Sequence, residues 1–293
     1  MKKWFALLLA LCLLAACAAA ECPQFSREEY PRVDGSTAML PLSRALMMAS
    51  IGATQAEAEL AITHSKTTNS FYALIGGQAD LLLVGNPAPE VFDYAEEMGV
   101  RLEMKPIGVD ALVFLVSDLN PVESLTRAQI EGIYTGEIAN WAEVGGADLP
   151  IIAYQRNETA GSQVMMESVV MQGKPMADAP VEYRPAEMGE LVDAVASYRN
   201  TADAIGYSVY YYVTEMYVQQ GIKLLAVDGV APSNQSIASG DYPYTQYNYA
   251  VVRADEPDTS PARQLFNYLT TEEGEAFMAE QGYVPAGSGA VLK

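Results

Sequence analysis

"RNETAGSQ", Arg156 to Gln163, sets one guanidinium ahead of a run of small and polar residues, and the chain then turns apolar in "VMMESVVMQGKP", residues 164–175. This order predicts a helix over Ala160–Gln172, with Gly173 at the left-handed position past its end and Pro175 beyond it. The amides of a helix's first turn lack intrahelical partners and point outward at the positive end of the dipole. An arginine beside them therefore marks a place suited to an anion. A surface ion pair between Arg156 and Glu158 is the plainer alternative.

Two further stretches have the same character. "DGSTA" (34–38) and "SKTTNS" (65–70), like "ETAGS" (158–162), each stand between a predicted strand and a predicted helix. Ser and Thr hydroxyls add donors of adjustable direction. Taken singly, each stretch is explained by N-capping. Three of them with one arginine form a candidate anion cradle.

Around these junctions short apolar runs alternate with amphipathic stretches. The runs at 56–63, 79–85, 111–117, 149–155, 204–209, 222–227 and 247–253 are predicted strands. Helices are predicted at Thr37–Ser50, Asn69–Gly76, Pro89–Gly99, Thr126–Tyr134, Ala160–Gln172, Ala186–Tyr198, Ser260–Leu269 and Glu272–Gln281. That alternation implies an α/β architecture with largely parallel sheets.

The chain has 293 residues, half of them hydrophobic, enough for two lobes with separate cores. Its first sixteen residues, with Lys2 and Lys3 ahead of an apolar run, have the form of a secretory signal peptide. Cys12 leaves with that leader and Cys17 would be acylated at the motif described below, so Cys22 alone remains in the mature chain, without an intramolecular partner, and no disulfide framework is expected. Loss of Lys2 and Lys3 takes the formal charge from −20 to −22, with 15 basic against 37 acidic residues. Such a balance excludes nucleic acid as a partner, because affinity for a polyanion rests on lysines and arginines. It also repels small anions, over about 8–10 Å at physiological salt. Any anion site must therefore be local and built from aimed donors.

"LAAC", Leu14 to Cys17, resembles the lipobox of bacterial lipoproteins, which implies acylation at Cys17 and a membrane anchor on an exported protein; an ordinary signal peptide cut near Ala18–Ala20 is the alternative. "DGSTAMLPL", "SKTTNSFYALIGGQADLLLVG", "QRNETAGSQ", "IGYSVYYYV" and "GYVPA" (282–286), in this order, resemble the substrate-binding lipoproteins of phosphate ABC transporters over roughly Tyr30 to the C-terminus. The resemblance implies a two-lobed type II periplasmic-binding fold, with the ligand cleft between lobes joined by two crossing strands. It places lobe I at 30–109 plus 247–293 and lobe II at 110–246, after the signal peptide (1–16) and a lipidated linker (17–29). It further implies a monomer that closes on one dehydrated inorganic phosphate and serves an ABC permease, with no enzymatic activity and no cofactor.

Position by position, the resemblance assigns phosphate donors to Ser36, Thr37, Ala38, Thr67 or Thr68, Arg156, Gly161, Ser162 and Gln163. Glu158 is assigned to orient the arginine. The chain departs from the pattern twice. Ala160 stands where many members have serine and offers only its backbone N–H. Asn86 stands where the family has an aspartate that accepts the proton of hydrogen phosphate and repels sulfate. Asp110 and Glu90 are the alternatives for that acceptor. Sulfate, molybdate and tungstate are thus rival ligands, and a lipid-anchored oxyanion sensor is a rival role.

The remaining features read as structure. "YSVYYY" (207–212) is expected to pack between lobes. His64, the single histidine, has no companions for a zinc-type metal site and no nucleophile to serve. "AGSGA" (286–290) is read as terminal chain.

Overall fold

The computed structural model describes residues 21–197 and 202–287. The leader, Cys17, the predicted helix end at Tyr198 and most of "AGSGA" lie outside the described residues. No helix among those described is long and apolar enough to cross a membrane.

The strands are β1 (Val33–Gly35), β2 (Leu81–Val84), β3 (Leu102–Ser117), β4 (Ser124–Leu125), β5 (Ile152–Ala153), β6 (Ala204–Val209), β7 (Ile222–Leu224), β8 (Ala226–Val227), β9 (Thr245–Arg253) and β10 (Val284–Pro285). The helices are α1 (Leu40–Ile51), α2 (Gln55–Ala61), α3 (Thr67–Ile75), α4 (Pro89–Glu97), α5 (Arg127–Thr135), α6 (Gly161–Met165), α7 (Met188–Ala196), α8 (Asn234–Ala238), α9 (Pro261–Tyr268) and α10 (Glu272–Glu280).

One sheet path, β1-β2-β9-β3-β6-β5, organises the molecule. β3 is its spine. Leu102 to Ala111 pair with β9, and from Leu112 to Val116 the same strand pairs with β6. The chain thus has two halves joined where the partner of β3 changes.

In the first half, alternate residues of each strand enter opposite cores, as the two-residue period of a strand requires. Leu81, Leu83, Ala250 and Val252 pack with Leu42 and Leu46 of α1 and with Leu265 and Phe266 of α9. Leu82, Val84 and Val251 pack on the other face with Phe71 and Leu74 of α3 and Val91 of α4. The second half gathers Leu112–Val116, Ile205 and Tyr207 against Ile130 of α5, Met165 of α6 and Leu191 of α7. Each fully buried side chain of this size contributes about 1.5–3 kcal/mol by leaving water.

Each of the eight predicted helices overlaps a helix in the structure, and six of the seven apolar runs overlap strands. "AEAELAIT" does not: it is α2. Thr54 caps it, its Oγ1 accepting from Glu57 N at 3.3 Å while Glu57 Oε2 accepts from Thr54 N at 2.8 Å. This capping box and an Ala/Glu-rich interior outweigh the apolar content. The sheet is also less parallel than expected: β1·β2 and β5·β6 run parallel, but β9 is antiparallel to both β2 and β3. The first part of β3 escapes the pattern because Glu103, Lys105 and Pro106 interrupt it, Pro106 standing at a register shift.

Candidate binding site

A small cavity of about 30 Å³ lies between the halves. The first half contributes Ser36, Thr37, Ala38, Lys66, Thr67, Gly85 and Asn86. The second contributes Arg156, Ala160, Gly161 and Ser162, and the joining strands contribute Asp110, Gln246 and Asn248.

The first-half wall is held from behind. Asp34 Oδ1 accepts from the amides of Gly35 and Ser65, both at 2.7 Å, and its Oδ2 accepts from Ser65 Oγ at 2.6 Å. "DGSTA" and "SKTTNS" are thereby tied to each other. Gly35 is required by close approach: a Cβ there would sit 1.9 Å from Leu83 O. His64 bridges Ser36 O at 2.7 Å and Ser43 Oγ at 3.0 Å. A carbonyl only accepts, so Nδ1 carries the proton, and burial pushes the imidazole pKa down, which keeps the ring neutral. The histidine therefore orients the turn and is taken up by it.

α3 starts abruptly, its N-cap Lys66 in the left-handed region at φ 76°. Thr67, the first residue of the helix, is 1% exposed, and its Oγ1 has no partner. The first amides of α3, like those of Thr37 and Ala38 in the turn leading into α1, have no intrahelical acceptor, whereas Met39 N is bound to Ser36 O at 3.1 Å.

On the facing wall, Arg156 follows β5 and is 4% exposed. Its Nε donates to Pro185 O at 3.2 Å and its Nη2 to Ala186 O at 2.9 Å, whereas Nη1 is buried without a partner. Burial pulls its pKa below the ordinary arginine value, opposed by the fields of Tyr207, Glu187, Tyr212 and Glu190. A guanidinium remains charged under such a shift. Ser162 is fully buried and its Oγ has no partner. Gly161 meets the opposite half directly: a Cβ there would lie 2.4 Å from Thr67 Oγ1. Beyond Met165 the helix widens to i→i+5 winding through Met171, then ends with Gln172 and Gly173 both left-handed, at φ 48° and 87°.

Asp110 closes the back of the cavity at 3% exposure. Its Oδ1 accepts from Ala111 N at 2.8 Å and Tyr211 N at 3.2 Å, and its Oδ2 has no partner. Burial pushes its pKa up to about 7 against those two hydrogen bonds.

Several expected residues stand elsewhere. Gln163 does not line the cavity. Its Oε1 accepts from Arg156 N at 3.1 Å and from Tyr207 OH, its Nε2 donates to Glu167 at 2.8 Å, and its amide is bound to Ala160 O. Thr68 is buried beside the cavity without lining it. The Ala160 N–H is spent on Asn157 O at 3.1 Å, and the Ser36 N–H on Leu83 O at 3.1 Å, so neither amide is a free donor. Glu158 is exposed, and the carbonyls of Pro185 and Ala186 orient the guanidinium in its place. Glu90 is exposed on the first turn of α4, away from the cavity, whereas Asp110 is within it.

The sequence reading missed Lys66, Gly85, Gln246 and Asn248. Lys66 Nζ crosses to the other half, 2.7 Å from Glu187 Oε1 and 3.5 Å from Ala186 O. Gln246 Oε1 accepts from Asn86 Nδ2 at 3.4 Å. The two amides had a legible signal, since Gln246 and Asn248 alternate on one face of a strand whose later residues are apolar. "YSVYYY" packs as expected: Tyr211 stacks on Tyr283 at 3.8 Å between centroids, and Tyr283 OH donates to Ala38 O at 2.7 Å.

The family model described as a PBP superfamily domain matches residues 26–273. A phosphate-binding protein PstS of Bacillus subtilis is 26% identical over 179 residues, 60% of this chain and 56% of that protein, so the alignment spans little more than half the relative's length. The phosphate-binding protein PstS of Borreliella burgdorferi is 20% identical over 276 residues, 90% of this chain and 92% of that one. In fold, the chain is similar to a Clostridium perfringens protein solved with bound phosphate, at a TM-score of 0.67 and 21% identity, covering 88% of this chain and 99% of that one.

Proposed function

The chain belongs to the PBP superfamily, and from that premise we propose that it captures inorganic phosphate outside the cytoplasm and delivers it to an ABC permease. One observation carries the reading: Thr67 Oγ1, Ser162 Oγ and Arg156 Nη1 are all buried, all without partners, and all belong to residues lining one cavity. A buried polar atom left unpaired costs about 1–3 kcal/mol, so three around one space describe a site whose partner is a guest. A tetrahedral oxyanion presents acceptors in divergent directions and suits donors arriving from opposite walls. The volume is too small for a bulky organic molecule.

In this reading the first half receives the anion on neutral hydroxyls and amides. The second half then brings Arg156, and its contacts with the guest favour the conformation in which the halves touch. Thr67, Arg156, Gly161 and Ser162 are the principal ligands, with the amides of Thr37 and Ala38 beside them. We divide the lobes at 30–109 plus 247–293 and 110–246, and propose a monomer anchored through acylated Cys17. The protein is a binder, not an enzyme; turnover of a chromogenic phosphate ester by purified protein contradicts that assignment.

Calorimetry of Arg156→Ala tests the site. Loss of a desolvated cation from a buried anion costs about 2–5 kcal/mol of binding. Unchanged phosphate affinity in that variant defeats the assignment. Asn86 at the cavity wall favours a second reading, capture of another oxyanion, because a neutral amide does not enforce a choice between phosphate and sulfate.

A further inference from the structure

Contacts between separate segments close the cavity. Gly161 meets Thr67, Lys66 reaches Glu187, and Asn86 Nδ2 donates to Gln246 Oε1 at 3.4 Å. The last of these separates two spaces of very different size. On one side is the cavity of about 30 Å³. On the other, a groove of about 1000 Å³ runs between α5, the widened helix after Met165 and the chain leading into β9. Among the described residues, Asn86 and Gln246 alone line both. The groove carries Thr126, Ser168, Gln172 and Asp241 on its walls, and its cations are already paired, Arg127 with Asp228 and Lys174 with Glu131. It suits an uncharged hydroxylated group better than a second anion.

Gln246 is firmly placed. Its backbone stands opposite Asp110 in the β3·β9 register, its side chain is buried, and its amide lies over Gly85, where a Cβ would come within 2.9 Å of Nε2. The glycine thus leaves room for the glutamine to reach Asn86. A hydrogen bond of 3.4 Å is weak, so what the pair supplies is bulk. A free oxyanion ends inside the cavity, whereas a phosphate monoester carries a carbon chain on one oxygen, and that chain needs a way out. Resting on the oxyanion reading above, we propose that Gln246, with Asn86, determines the specificity of the site for the free anion: their side chains bar the passage through which the alcohol part of a phosphomonoester would extend into the groove. Discrimination of this kind comes from a clash with the larger guest and not from an added contact to the smaller one.

The test is calorimetric titration of the full mature chain, of Gln246→Ala and of Gln246→Met with sodium phosphate and with glycerol 3-phosphate. Wild-type protein is expected to bind the ester about tenfold to a hundredfold more weakly than phosphate, because its extra atoms must be forced into a packed space. Gln246→Ala joins the cavity to the groove, and its affinity for the ester itself, not only the ester-to-phosphate ratio, is expected to rise about tenfold. Methionine keeps the length of glutamine without its amide, so Gln246→Met should still exclude the ester; an equal gain in both variants contradicts a steric bar. If Gln246→Ala fails to fold, Asn86→Ala removes the other member of the pair, and the same gain is expected. Wild-type protein that binds both compounds alike, or an alanine variant that binds phosphate and no more ester than wild type, overturns the role of Gln246 and leaves the oxyanion site standing. Wild-type protein that binds neither overturns both.

Discussion

The two walls of the cavity differ in how they carry charge. The first-half wall presents hydroxyls and helix-start amides, and its cation, Lys66, is part-exposed and already paired with Glu187. The second-half wall presents Arg156, almost wholly buried, with one nitrogen unspent. Their supports differ in the same sense. Asp34 and His64 brace the first wall, whereas backbone carbonyls of Pro185 and Ala186 hold the arginine. Carbonyls orient a guanidinium without neutralising it, and a carboxylate in their place would compete with the guest for its charge. The lesson is one of division: a stiff neutral receptor on one side, and on the other a cation whose desolvation is offset only when an anion arrives.

The largest test of that division is Arg156→Ala, with the loss already given. Thr67→Val and Ser162→Ala probe the neutral donors, each expected to weaken phosphate binding by about 1.5–3 kcal/mol, the range for a hydrogen bond to a charged group. Thr67→Val carries a second signature. It removes an unpaired buried hydroxyl, so the unliganded protein should melt no lower, and higher if the site repacks, while binding weakens. A variant that loses stability and keeps affinity would make Thr67 a structural residue.

Gly161→Ala tests the contact between walls. Its new methyl meets Thr67 Oγ1, and overpacking of this kind costs about 1–3 kcal/mol, seen here as weaker binding. In a Thr67→Ala background the same change should cost less, and strict additivity would contradict the contact. Smallest is Lys66→Gln. The Lys66–Glu187 pair is part-exposed and worth about 0.2–1 kcal/mol, so affinity should drop slightly and part of its salt dependence should vanish.

The same two walls show what was legible in the chain. Arg156, Gly161, Ser162 and Thr67 stood out because helix-start chemistry is local: small and polar residues next to an apolar run declare it within a few positions. Gln163 and Ala160 belonged to the same motif, yet Gln163 turned inward to Tyr207, 44 positions away, a partner no local pattern names. Glu158 failed for the same reason, its expected place taken by carbonyls some thirty residues distant. Asp110 was visible as a lone acid in an apolar run, but its role depends on which oxygen the Tyr211 amide occupies. The first part of β3 and the antiparallel return of β9 were hidden because pairing partners are set by topology, not by periodicity.

A structure of the protein crystallised with phosphate tests the central claim most directly. The account predicts one tetrahedral ion with its oxygens about 2.6–3.2 Å from Thr67 Oγ1, Ser162 Oγ, Arg156 Nη1 and Asp110 Oδ2. An ion bound elsewhere, or those four atoms still unpartnered in protein saturated with phosphate, would contradict it.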